Sequence, residues 1–133
     1  MAGAPEASPR APEAAPRAQT FSTMMCWAAV DRMARIASTY RRAEATRFSY
    51  EATRIQSLAM QDALHPERGC LVASHGGREL DVSLLHALPL RLLAPGDPRA
   101  ASTVRCVLED LQLQSWLRRD GAAAGGGPHA RGR

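Results

Sequence analysis

Lysine is absent from this sequence, and aromatic and cysteine residues are scarce. All 17 basic residues among the 133 are arginines, aromatic residues make up 5% of the chain, and there are three cysteines. No apolar run reaches the roughly 18 residues of a membrane span, and the first residues lack the basic stretch and apolar core of a secretory signal. We therefore expect a single domain in the cytoplasm, with no membrane partner.

Long runs of like charge are also missing. The formal net charge is +4, but the 13 arginines and 11 acidic residues between Thr20 and Asp120 are interspersed without a cluster. A nucleic-acid-binding protein would need arginines grouped on one face, with side chains that read a groove. This distribution predicts no nucleic-acid partner.

The cysteines give no sign of a disulfide framework or a metal site. Cys26, Cys70 and Cys106 are odd in number and far apart, and no second ligand stands beside them at metal-binding spacing. Cys26 and Cys106 fall within helical patterns, which predicts that both are small, buried, apolar side chains. A Gly-rich phosphate loop and a nucleophile elbow are absent as well, so we expect no cofactor.

The two ends of the chain have a composition that cannot build a core. Residues 4–10 (APEASPR) are repeated almost unchanged at residues 11–17 (APEAAPR), and proline at every third or fourth position is incompatible with a helix. The last stretch, GAAAGGGPHARGR, holds no large apolar side chain. We predict disordered tails at residues 1–19 and 121–133, on either side of one helical domain at residues 20–120.

Hydrophobic periodicity predicts an all-α fold for that domain, with four main helices. The first helix is predicted from Ser22 to Thr39 and the second from Arg42 to Leu64, each with one apolar stripe at helical spacing. The first stripe comprises Met25, Ala29, Met33, Ile36 and Tyr40, and the second comprises Ala45, Phe48, Ala52, Ile55, Ala59 and Ala63. Ser22 or Thr23 is expected to cap the first helix.

The other two helices follow a glycine turn. A short extended run at Leu71 reverses at two glycines and leads into an apolar helix. Asp81 caps this helix, which is expected either to kink at Pro89 or to break and restart with Pro89 in its first turn. The last helix begins at Asp97 and Pro98, and the first glycine of the tail is expected to end it. Its apolar face comprises Val104, Val107, Leu108 and Leu111. At most a trace of strand is expected near Leu71.

Three sequence blocks carry a resemblance to a known family. Residues 69–93, GCLVASHGGRELDVSLLHALPLRLL, resemble the pattern G-x-F-V-Q-S-Y-G-x-x-E-L-D-A-S-L-L-L-L-P-L of the family 15 glycoside hydrolases, the group of glucoamylases, glucodextranases and bacterial trehalases. Residues 25–32, MCWAAVDR, resemble the family's M-C-W-V-A-L-D-R, and residues 97–99 with 103–104 form a third block in the right order. The agreeing positions of the first block are Gly69, Val72, Ser74, Gly76, Glu79, Leu80, Asp81, Ser83, Leu84, Leu85, Leu88, Pro89 and Leu90.

The resemblance implies a fold and a substrate class. It implies an (α/α)6 barrel of the six-hairpin glycosidase type, with about four of its helices in this chain. It also implies hydrolysis of α-glucosidic bonds in oligosaccharides, polysaccharides or trehalose, with an α-glucoside as the binding partner. The candidate pocket-lining residues are Trp27, His75, Gly76, Glu79 and Asp81. The residues alone favour a plain core role for Trp27 and a helix cap for Asp81.

The two catalytic glutamates of an inverting glycosidase are not found. The family's general acid lies in a Trp-Glu motif before the M-C-W block and its general base lies beyond the third block, and the sequence has neither. Glu79 with Asp81, and Glu109 with Asp110, are too close along the chain to face each other across a bond. We expect no catalytic residue and a truncated fragment that is inactive by itself. The alternative is a non-catalytic helical module for interaction or oligomerisation, which self-associates through exposed apolar faces.

Overall fold

A computed structural model of the chain describes residues 16–124, which form three α-helices and one short 3₁₀ helix. Helix α1 spans Thr20–Tyr40, α2 spans Arg42–Asp62, the 3₁₀ helix spans Val82–Ala87 and α3 spans Pro98–Ala124. Within these residues there is no strand, only two isolated antiparallel bridges, one joining Gln19 to Ser74 and one joining Leu64 to Leu71. The prediction of an all-α fold with a trace of strand near Leu71 is therefore confirmed.

Helices α1 and α2 are joined by the single residue Arg41 and pack together as a helical hairpin. Along the predicted stripe of α2, Ala52 and Ala59 are buried, as is Ala63 just past the end of the helix, and the other members are half-buried. Small side chains on this stripe allow the two backbones to approach closely. The predicted stripe of α2 is thus confirmed.

The buried face of α1, by contrast, is not the predicted stripe. The large members of that stripe are exposed, Met25 and Met33 by 45%, Ile36 by 54% and Tyr40 by 80%. Helix α1 instead buries Thr20, Met24, Trp27, Ala28 and Ala37. Both sets recur at helical spacing, so periodicity could not choose between two neighbouring apolar faces, and the fold buries the one that carries the large indole.

Two further predictions about α1 are wrong. Cys26 is exposed, because it stands on the side of the helix that the fold leaves uncovered, whereas Cys106 on α3 is buried as predicted. Neither Ser22 nor Thr23 is the N-cap; that position is Gln19, whose side chain makes no capping hydrogen bond.

The apolar segment after Asp81 does not form the predicted kinked α-helix. It forms a 3₁₀ helix and then a series of turns, in which Arg91 has a φ of 65°. Pro89 has no N–H to continue a helical ladder, and Leu88 already bonds at the shorter i−3 spacing, its N–H donating to the Leu85 carbonyl at 3.3 Å. The tighter winding turns four apolar side chains into the core: Leu84, Ala87, Leu92 and Leu93. Asp81 does cap this helix, since its Oδ1 accepts the N–H of Ser83 at 2.6 Å.

Helix α3 begins as predicted and ends later. Asp97 Oδ1 accepts the N–H of Arg99 at 2.9 Å, with Pro98 as the first helical residue. Gly121 does not end the helix, which continues to Ala124, because a glycine inside a helix costs only about 1 kcal/mol. The two members of the predicted face beyond Val107, Leu108 and Leu111, are exposed. Three further apolar residues in the second half of the helix are also exposed: Leu113, Trp116 and Leu117. Apart from residues 16–19 and 121–124, the predicted disordered tails lie outside the described residues.

The core lies where the hairpin, the 3₁₀ helix and the first half of α3 meet around Trp27 and Leu71. Two polar side chains, Thr20 and Thr103, are fully buried in it, and both are hydrogen-bonded. No helix within residues 16–124 has both the length and the apolar content that a bilayer crossing requires.

Candidate functional site

The residues between α2 and the 3₁₀ helix include a loop that lies across the first turn of α1. We call residues 72–79 the site loop. The N–H of Thr20 donates to the carbonyl of Ala73 at 2.9 Å, and the N–H of His75 donates to the carbonyl of Ala18 at 2.9 Å. These two backbone bonds fix the loop against the start of α1.

The site loop favours glycine at positions 76 and 77 for two different structural reasons. Gly76 has a φ of 70°, which side chains disfavour, and its N–H donates to the carbonyl of Asp62 at 2.7 Å at the end of α2. Gly77 needs no positive φ, but a Cβ there would stand 2.5 Å from Ser74 Oγ and 3.0 Å from the Ser74 carbonyl oxygen. The tight turn of the loop therefore favours glycine at both positions.

An open cleft of about 620 Å³ lies beside the site loop. This volume is within the range of about 300–1,000 Å³ that is usual for small-molecule sites. The cleft is lined by Pro16, Arg17, Gln19, Ser74, Gly76, Gly77, Arg78 and Glu79. Its chemical groups are therefore two guanidinium groups, one carboxylate, one hydroxyl, one amide side chain and the glycine backbone.

His75 lies behind the cleft and connects three elements. Its side chain is 12% exposed, its Nε2 is 3.0 Å from the hydroxyl of Thr23 on α1, and its Nδ1 is 3.9 Å from Asp62 Oδ2 at the end of α2. The first distance is a hydrogen bond and the second is an ion-pair distance beyond hydrogen-bond range. The imidazole thus braces the loop between the two helices and does not line the cleft.

The five residues singled out from the sequence do not converge on one site. Gly76 and Glu79 line the cleft and His75 supports it from behind. Trp27 is 5% exposed in the core, with the Arg32 guanidinium 5.8 Å from its ring centroid, which is a cation–π contact. Asp81 caps the 3₁₀ helix and borders a separate cavity of about 120 Å³ against α3.

Sequence reasoning missed four polar residues of the cleft, which are Arg17, Gln19, Ser74 and Arg78. Arg78 follows the glycine pair directly, so its place in the turn was a usable signal. Arg17 closes the second proline repeat and gave no signal, because nothing in that composition indicates which of its residues contacts the domain.

The residues that line the cleft do not include a pair of carboxylates. Hydrogen bonds from Ser83 lower the pKa of Asp81, and those from Arg99 lower the pKa of Asp97. Both groups are therefore ionised at neutral pH, and neither has a proton to give to a leaving group. Glu79 is the one carboxylate among the residues that line the cleft, whereas inverting hydrolysis needs two, about 6.5–9.5 Å apart.

Comparison with known proteins gives two related matches. The chain is 32% identical over 93 residues to the trehalase of Mycobacterium tuberculosis (strain ATCC 25618 / H37Rv) and, over the same length, to that of Mycolicibacterium smegmatis (strain ATCC 700084 / mc(2)155). Each match covers 69% of this chain and 14% of the relative. No family model matches the chain, and no solved structure does. The chain is therefore trehalase-like over most of its length, and it spans about one seventh of the relatives it matches.

Proposed function

We propose that this chain forms part of an α-glucoside site of the family 15 glycoside hydrolase kind, with the site loop as one wall of the sugar pocket. The observation that carries the proposal is the 32% identity over 93 residues to two proteins named trehalase. The sugar in the proposal is an α-linked glucose disaccharide, trehalose first.

The chemistry of the cleft supports a neutral polyol as the ligand. Sugar hydroxyls both donate and accept hydrogen bonds, and the cleft offers matching groups: Arg17 and Arg78 donate, Glu79 accepts, and the Ser74 hydroxyl does either. Backbone bonds hold the loop to α1 and α2, so the loop backbone is already ordered before a sugar binds.

The proposed role is binding and orientation of the sugar. Glu79 alone can act as an acid or as a base, but the inverting reaction requires both at once, on opposite sides of the bond. Asp81 and Asp97 are committed as ionised helix caps. We therefore expect the purified chain to release no glucose from trehalose, maltose or starch above background. Glucose release that is lost in Glu79→Gln would overturn this part of the proposal.

Sugar binding is tested by nuclear magnetic resonance titration of the ¹⁵N-labelled chain with trehalose. We expect shifts at the amides of the site loop and a Kd near ~1 mM, which corresponds to about −4 kcal/mol. Glu79→Gln should weaken the binding. Glu44→Gln is the matched control, because Glu44 is exposed on α2 and pairs with Arg41 outside the cleft. Absence of shifts in the site loop, or equal effects of the two variants, would contradict the proposal.

A second candidate function is self-association as a helical module. The observation that favours it is the exposed apolar face of α1, which carries Met25, Met33, Ile36 and Tyr40. Contiguous apolar surface of more than a few hundred Å² commonly marks an association site. The proposed occupant is a second copy of this chain, and the two functions are compatible because the cleft and this face use different residues.

A further inference from the structure

The short segment before the site loop runs along α3 in register with it. Arg68 Nη2 is 2.6 Å from Glu109 Oε2, and the N–H of Leu71 donates to Thr103 Oγ1 at 3.1 Å. Gly69, between the two anchored residues, has a φ of 63° and turns the segment. Cys106 stands three positions from both Thr103 and Glu109, the spacing at which side chains are neighbours on a helix surface. The two contacts therefore run antiparallel to the helix axis and flank Cys106.

This register brings two cysteines face to face. Cys70 lies between the two anchored residues of the segment, and Cys106 lies midway between their partners on α3. Both side chains are buried, 0% and 4% exposed, and both are free thiols. Burial first, and the neighbouring Cys106 thiol second, raise the pKa of Cys70 to about 12. Two contacts unrelated to sulfur thus place this thiol pair, and the influence of Cys106 on the pKa of Cys70 agrees with them.

One of the two cysteines lies at the edge of a cavity that is open to solvent. Cys106 borders an open cavity of about 220 Å³, together with Arg68, Arg105 and Glu109. Cys70 does not line this cavity. A hydroperoxide is small enough to enter such a space, so an oxidant would meet Cys106 first and Cys70 second.

We propose that Cys70 and Cys106 are an oxidisable dithiol, which hydrogen peroxide converts to an intramolecular disulfide. The Cys106 sulfur attacks the peroxide oxygen, so that the O–O bond breaks, water leaves and Cys106 becomes a sulfenic acid. The Cys70 sulfur then displaces the hydroxyl from Cys106 as a second water while the S–S bond forms. In total, two thiols and hydrogen peroxide give one disulfide and two waters.

The disulfide would tie the segment just before the site loop covalently to α3. The sequence suggested no such pair, because three cysteines far apart carry no information about contact. The exposed Cys26 is separate from this pair and would instead be open to intermolecular oxidation.

The test is a peptide map of the full chain carrying Cys26→Ser, oxidised in its native state with a small molar excess of hydrogen peroxide. Trypsin places Cys70 in the peptide 69–78 and Cys106 in the peptide 106–118. We expect the intact protein to lose two hydrogens, these two peptides to be joined, and a thiol reductant to separate them. The same oxidation in denaturant is the control, and it should give slower closure and more over-oxidised cysteine.

Two results would overturn the proposal. The first is a sulfinic acid on Cys106 with Cys70 still a free thiol. The second is retention of both thiols under conditions that oxidise the exposed Met25. The map needs no substitution inside the core, so a folding defect cannot produce either result.

Discussion

Thr103 joins the site-loop region to α3, and its replacement by valine tests that packing. Its side chain is fully buried, donates to the Arg99 carbonyl at 2.8 Å and accepts the N–H of Leu71 at 3.1 Å. Valine has nearly the same shape and lacks the hydroxyl. The substitution therefore removes one acceptor from a buried amide and leaves the packing volume almost unchanged.

The expected loss of stability follows from the amide that remains. A buried donor without a partner costs about 1–3 kcal/mol, and the N–H of Leu71 cannot reach water because Leu71 is also fully buried. The lost bond to Arg99 adds little, since that carbonyl belongs to the first turn of α3. We expect the free energy of unfolding to fall by ~2 kcal/mol. With a urea m-value of about 1–3 kcal/mol/M, the urea midpoint would fall by roughly 1 M.

Urea denaturation followed by circular dichroism measures this loss, with two matched variants as controls. Thr103→Ser keeps the hydroxyl and should lose only about 0.8 kcal/mol for its methyl group. Thr53→Val removes an exposed hydroxyl that bonds only within its own helix, and should change stability by less than ~0.5 kcal/mol. If Thr103→Val were as stable as Thr53→Val, or more stable than Thr103→Ser, the inferred contact between Leu71 and α3 would be refuted.

Three further predictions use other parts of the structure. Gly77→Ala should destabilise the chain by about 1–2 kcal/mol because its Cβ would meet Ser74, whereas Gly96→Ala, with no atom within 4 Å, should be nearly neutral in the same urea assay; equal effects would contradict the tight turn. The lowered pKa of Asp97 means that its contribution to stability is present above the ordinary value of 3.8 and is lost as the pH falls through the lower folded value. Asp97→Asn should remove that part of the acid dependence in thermal melts, and an unchanged pH profile would contradict the assigned cap. Ile36→Glu on the exposed face of α1 should weaken self-association without loss of thermal stability, and sedimentation over a dilution series that shows a monomer for both proteins would refute the second candidate function.

The starts of the 3₁₀ helix and of α3 were predicted correctly, because short-range capping hydrogen bonds determine them. Asp81 and Asp97 cap their helices because the acceptor lies within two residues of the amide, and such a pattern is readable in sequence. The α2 stripe was equally readable, because its small residues leave only one face able to pack closely. The all-α class followed from these elements together.

The rest depended on tertiary contacts that sequence spacing does not encode. Helix α1 has two apolar faces at the same period, and its neighbours decide which is buried. The segment after Asp81 has the composition of a buried helix, yet Pro89 and the need to bury four side chains at once favour a 3₁₀ turn. In the cleft, the glycine turn was predictable from its residue types. The contribution of Arg17 and the meeting of Cys70 with Cys106 arise only when distant parts of the chain come together.

The site loop also serves as the missing cap of both hairpin helices. The first amide of α1 has no side-chain acceptor of its own and bonds to Ala73, while the last carbonyl of α2 accepts the amide of Gly76. These two bonds join residues 53 and 14 positions apart, so the ends of the hairpin complete their hydrogen bonding only when the site loop folds against them. A substitution that changes the backbone of the site loop therefore also disturbs α1 and α2, which bond to that backbone. The chemistry of the cleft can instead vary through residues such as Arg78 and Glu79, whose exposed side chains can change while the backbone bonds persist.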